Sequence, residues 1–178
     1  MRLFDSSALN PGVARREVLG WAMYDFANSG YTTVVLTAVF SAYFVGGLAE
    51  GAPWATLAWT AALSLSYLIV MLTIPVIGAH ADAKGAKKRA LAWSTLACVV
   101  ATAALAATPA LTGSSAIWAA LGLVVLSNVF YSYGESLCAA FLPELARPQA
   151  MGRVSGWGWA WGYIGGMLTL GLCLAYVL

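Results

Sequence analysis

Residues 21–31 read WAMYDFANSGY. Aromatic side chains bound the stretch, while Tyr24, Asp25, Asn28 and Ser29 occupy its middle. It lies inside an apolar run from about 18 to 46, longer than the roughly 20 residues a membrane helix needs. The fold class turns on whether that run crosses a bilayer in spite of its acid, amide and hydroxyl. The rest of the chain decides the point. Of 178 residues, 61% are hydrophobic and 9% charged, whereas soluble domains average about half apolar and about a quarter charged. The expected class is therefore all-α, a polytopic membrane bundle, since runs of this length far exceed the ~10 residues of a barrel strand.

Four further runs lie at about 54–79, 89–110, 114–142 and 154–178, which gives five spans over 18–178 behind an N-terminal segment, 1–17. Glu50, Gly51 and Pro53 stop the first run. HADAKGAKKR parts the second from the third, TPALTGSS the third from the fourth, and LPELARPQAMGR the fourth from the fifth. All nine Lys and Arg fall on one side of this arrangement: Arg2, Arg15 and Arg16, then Lys84, Lys87, Lys88 and Arg89, then Arg147 and Arg153. The loops at 47–53 and 108–115 have none. The positive-inside rule then puts the N-terminus in the cytoplasm and residue 178 outside, in what is expected to be a bacterial cytoplasmic membrane. Arg15 and Arg16 precede a run too long and too interrupted for a cleavable signal. The fifth run ends flush with the chain, which favours the front of a longer protein over a naturally short form.

Polar residues are placed in register. Tyr24/Asp25, Asn28 and Tyr31/Thr32 recur at three- and four-residue steps, so they share one helix face. In the fourth span Asn128, Tyr131/Ser132 and Glu135 do the same. At a rise of ~1.5 Å per residue, Asp25 and Glu135 each lie ~10 Å from the cytoplasmic end of their span. An ionisable group at that depth is expensive unless it faces a partner or water, so both are candidate functional residues. Asp25 is open to two readings, a salt bridge that closes a gate or a substrate or proton site. Glu135 lies near a helix C-terminus, where negative charge is disfavoured, and the functional reading is preferred there.

Gly158, Gly162 and Gly166 form a small-residue ridge in the fifth span, read as a helix-packing surface. Pro75 and Gly78 weaken the second span near its cytoplasmic end, and His80 is read as a solvated loop residue at the membrane edge. Cys98, Cys138 and Cys173 all sit in apolar runs without metal-ligand or disulfide spacing, so they read as small buried hydrophobes. No metal, cofactor or nucleic-acid partner is expected. An enzyme is disfavoured by the lack of a nucleophile–base pair, an HExxH or a phosphate loop.

Two runs carry a resemblance. GAHADAKGAKKR, residues 78–89, resembles the cytoplasmic signature between helices two and three of the major facilitator superfamily, Gly-x-Leu-Ala-Asp-Arg-x-Gly-Arg-Lys. Gly78, Ala81, Asp82, Gly85 and Lys87 hold matching positions, while His80 replaces Leu, and Ala83 and Ala86 replace basic residues. Residues 21–44, with Tyr24, Asp25, Ala27, Asn28 and Ser29 intact, and residues 141–166, with Ser155, Gly156, Gly158, Trp159, Gly162, Tyr163, Gly165 and Gly166 intact, look like its vacuole-effluxer-like branch. Leu137-Cys138-Ala139-Ala140 stands where relatives often carry Phe-Tyr-Asn-Ala. The resemblance implies twelve helices in two halves, with helices one and four lining the cavity. By it, the chain supplies helices one to five of the N-terminal half. It also implies secondary transport of a small solute, amino acids by analogy, with protons a candidate coupling ion. Tyr24, Asp25, Asn28, Asn128, Tyr131 and Glu135 would line the cytoplasmic half of the cavity, and Gly78, Asp82, Gly85 and Lys87 would belong to the cytoplasmic gate. The partners expected are membrane lipid, the solute, and either a missing C-terminal half or a second copy. The competing expectation is a non-transporting membrane module, in which the polar stripes are helix–helix hydrogen bonds.

Overall fold

A computed structural model describes residues 4–177. Arg2 and Leu178, assigned above to opposite sides of the membrane, lie outside the described residues. Among the described residues, five helices are long and apolar enough to cross a membrane: Arg15–Leu48, Ala55–Ala83, Lys87–Ala110, Ser114–Leu145 and Pro148–Tyr176. There is no strand among the described residues. The chain is thus the all-α, five-span bundle that its composition demands. The main helical segments are α1 (Arg15–Tyr31), α2 (Ala55–Ala83), α3 (Lys87–Leu105), α4 (Ser114–Ala139) and α5 (Met151–Val177).

Local chemistry explains where these segments begin and change. Glu17 caps α1 by accepting the Ala14 N–H at 2.8 Å, one half of a capping box. Beyond Tyr31 the helix widens into seven π-helical residues, Thr32–Ala38. Thr32, Thr33, Val34 and Val35 are β-branched and crowd the preceding turn. Thr37 Oγ1 then donates to the Thr32 carbonyl five residues back, at 2.8 Å. At the end of α2 the Ala86 N–H reaches the Ala81 carbonyl at 2.8 Å, and Gly85 N–H reaches Asp82 at 3.1 Å. This is a Schellman closure, and Gly85 sits at φ +58°, where a side chain would be strained. Because α2 runs to Ala83, His80 belongs to its last turn and not to the loop expected from the charge run.

The chain divides into two compact units, Met1–Phe40 with Cys138–Leu178, and Ser41–Leu137. In the first, α1 and α5 run parallel, with contacts that climb in step. Gly158 lies under the Trp21 ring, Gly162 against Asp25 and Ser29, Gly165 against the Phe26 backbone, Gly166 against Thr33, and Gly30 against Thr169. All five glycines are buried. The Trp21 indole N–H donates to the Cys138 carbonyl at 2.9 Å, which fixes the ring over Gly158.

Residues 4–10 form a strap under this pair. Phe4, Ala8 and Leu9 are buried with Val18, Ala22, Ala146 and Val154, and Phe4 meets Trp157 edge-on at 5.4 Å. Leu9 and Ala146 form an isolated antiparallel bridge. Asn10 N–H donates to Leu145 O at 3.0 Å and Arg147 N–H to Ala8 O at 3.0 Å. Side chains add to it: Asn10 Nδ2 reaches the carbonyls of Pro143 and Glu144, both at 2.9 Å, and Arg147 Nε the carbonyl of Leu9 at 2.8 Å. Asp5 stands 3.8 Å from Arg153. The hydroxyl and N–H of Ser7 hold its carboxyl below the usual carboxylate range, with the nearby Arg153 and Arg15 adding to the effect. Asn10→Ala is expected to loosen the strap by about 1–2 kcal/mol, since two modest hydrogen bonds are lost together. Amide exchange at position 10 and at Arg147 should accelerate, and unchanged protection would refute the clamp.

In the second unit, α2 and α4 run parallel and are joined by two polar rungs. The Asn128 amide donates to Ser66 Oγ at 2.6 Å, and the hydroxyls of Thr73 and Tyr133 lie 2.5 Å apart. Ser66 gives its own proton to Leu63 O and Thr73 gives its proton to Ile69 O, so both act as acceptors across the helix pair. Nearer the helix N-termini an apolar cleft of about 640 Å³ separates α2 from α4, with Trp54, Ala58, Ala62, Trp118 and Gly122 among its walls.

Candidate functional site

On α1 the stripe that opened the sequence is half-buried at Tyr24, Asp25, Asn28 and Ser29. Helical spacing puts Asp25 and Ser29 one turn apart, and α5 meets both of them at one residue, Gly162. Among the described residues no hydrogen bond or ion pair engages the Asp25 carboxylate. Among the described residues, therefore, no arginine of its own unit holds it, although Arg147 and Arg153 belong to that unit. A carboxylate at membrane depth with unspent lone pairs can accept a proton or a positively charged or hydrogen-bonding group.

The α4 stripe divides in two. Tyr131 and Glu135 are half-buried, but Asn128 is fully enclosed at 0% exposure. Its amide nitrogen is committed to Ser66. Its Oδ1 is the buried side-chain polar atom without a hydrogen-bond partner among the described residues. Asn128 thus fastens α4 to α2 and offers no surface to a solute in this arrangement. Sequence reasoning missed Ser66 as its partner, and Thr73 with Tyr133 as the second rung. Their signal was present as hydroxyls inside apolar spans, but a single stripe does not reveal which neighbour it will meet.

The charged loop folds into a compact turn. Asp82 and Lys87 form an ion pair at 2.9 Å across the Schellman closure, with the carboxylate side chain 59% exposed and the lysine 21%. Gly85 supplies the left-handed residue that lets the chain reverse between them. Gly78 has open space around it. A pair this exposed contributes at most about 1 kcal/mol, so its value lies in positioning. No cluster of His, Cys, Asp or Glu among the described residues could hold a metal ion.

No family model matches the chain, and no solved structure matches it. Over 164 residues, 89% of its length, it is 34% identical to an uncharacterized MFS-type transporter, YxiO, of Bacillus subtilis (strain 168). The match covers 37% of that protein, so the chain spans well under half the length of the curated relative it matches. Five apolar spans support an integral membrane protein, and the likeness to the MFS-type transporter YxiO runs along almost the whole chain.

Proposed function

We propose that the chain is part of a secondary transporter that moves a small solute across a bacterial cytoplasmic membrane by alternating access. The observation that carries this reading is the Asp25 carboxylate, unengaged at membrane depth on the first span. The likeness to an MFS-type transporter supports it. The intact Tyr24-Asp25-x-Ala27-Asn28-Ser29 run supports placement in the vacuole-effluxer-like branch, with the five spans as helices one to five of a two-half protein and the N-terminus cytoplasmic. On this reading Tyr24, Asp25 and Asn28 of α1 and Tyr131 and Glu135 of α4 each carry part of the solute path. Asn128 holds α4 in place, and Gly78, Asp82, Gly85 and Lys87 form the cytoplasmic gate turn. An amino acid is the proposed cargo, by analogy with the branch.

Glu135 is the proposed proton carrier, because a carboxyl at that depth can load and release a proton as its surroundings change. Glu135→Gln should abolish accumulation against a gradient yet spare solute exchange in proteoliposomes. Unchanged accumulation would remove the proton role.

The two rungs between α2 and α4 favour a second reading, a module whose polar residues serve packing and that needs a partner to work. Cysteine substitution separates the two. Positions 25, 28 and 135 should react with water-soluble reagents if they lie on a wet path, and stay silent if they only bind helices together.

A further inference from the structure

The four glycines of α5 that face α1 are not equivalent. A methyl at Gly165 would strike the Phe26 carbonyl oxygen and come within 2.7 Å of its carbon. Backbone cannot step aside, so that glycine sets how close the helices lie. At Gly158 the obstacle is the Trp21 ring at 2.7 Å, and that ring is pinned by its bond to Cys138. At Gly166 it is the Thr33 hydroxyl at 2.9 Å. Only Gly162 faces an ionisable group. A methyl there would overlap the Asp25 carboxylate oxygen, with Asp25 Cγ at 3.0 Å and Ser29 Oγ at 2.8 Å.

The Asp25 carboxylate and the Ser29 hydroxyl therefore converge on the space left by a missing side chain. Neither has a hydrogen bond from its side-chain oxygen among the described residues. Both are ends of short side chains, so a methyl at 162 displaces them and leaves the helix backbones where they are. From this geometry we infer that Gly162 is a positioning residue: its bare backbone seats the Asp25 carboxylate beside the Ser29 hydroxyl, making one two-oxygen niche on the α1–α5 seam. The niche rests on the transport reading above for its use, because a seated acceptor pair matters only if a proton or solute calls on it. Its geometry does not rest on that reading, and it extends the solute path to Ser29.

The test uses the full-length protein in detergent. A water-soluble carbodiimide with an amine nucleophile is applied, and modification of Asp25 is followed by mass spectrometry. Gly162→Ala should expel the carboxylate from its seat and change its labelling rate several-fold, while Gly166→Ala leaves the rate as in the parent. Equal rates in Gly162→Ala and parent, or equal changes in both variants, would overturn the assignment. Should Gly162→Ala fold poorly, thermal melting of the double variant Asp25→Ala with Gly162→Ala decides. Removing the carboxylate should restore most of the lost melting temperature, and no restoration would mean that backbone, not Asp25, takes the clash. Neither readout requires transport, so failure of the niche and failure of the transporter reading are told apart.

Discussion

Gly165→Leu is expected to leave little correctly folded protein. The new Cβ would meet the Phe26 carbonyl group, with Phe26 Cα also only 2.9 Å away. No rotamer relieves a clash with backbone, so α1 and α5 must move apart along the seam. Overpacking of this kind costs about 1–3 kcal/mol where side chains can adjust, and more where they cannot. Separation of the helices would also release Trp21 from Gly158 and expose the Asp25 niche. Gly156→Leu is the control, since nothing lies within 4 Å of a Cβ there. It should behave as the parent or slightly better, because glycine is a poor helix former. Size-exclusion profiles and melting temperatures in detergent report the difference. Equal behaviour of the two variants would show that the parallel seam is not what holds α1.

Asp25→Asn is expected to do the opposite, sparing the fold and removing the transport proposed above. Among the described residues the carboxylate has no hydrogen bond or ion pair to lose, and asparagine is nearly isosteric. The melting temperature should therefore stay close to that of the parent. On the transport reading proposed above, the initial transport rate of the full-length protein should fall about tenfold or more, the effect of losing roughly 1.4 kcal/mol of interaction with the moving species. A gate-closing salt bridge would give the other pattern, in which stability of one conformation drops while the substrate-facing step survives. Transport at the parental rate would remove Asp25 from the solute path.

Much of this architecture is legible because lipid forces it to be. Backbone polar groups have no water to turn to, so long apolar runs must be helices, and their number follows from the breaks. The α1 and α4 stripes are legible for the same reason, since a helical period of 3.6 puts Asp25 with Asn28, and Asn128 with Glu135, whatever surrounds them. What that period does not disclose is the neighbour. Asn128 and Glu135 share a face by spacing, yet Asn128 is sealed against Ser66. A step of four picks out Gly158, Gly162 and Gly166, but the tightest approach is at Gly165, because a straight helix drifts off a strict four-residue ladder. The strap is illegible for a different reason. Phe4–Asn10 is short, rich in turn-forming residues, and finds its hydrogen-bond partners among residues far along the chain.

That distance has a consequence for how the protein is made. Leu9 and Arg147 are 138 residues apart in the chain. At about 5–20 residues per second, a ribosome needs roughly 7–30 s to deliver the second after the first. Throughout that interval the opening span must remain in the bilayer with Asp25, Asn28 and Ser29 lacking the fifth helix. Its apolar run from about 18 to 46, longer than the roughly 20 residues needed to cross, supplies the surplus of apolar surface that keeps it there until its partner arrives.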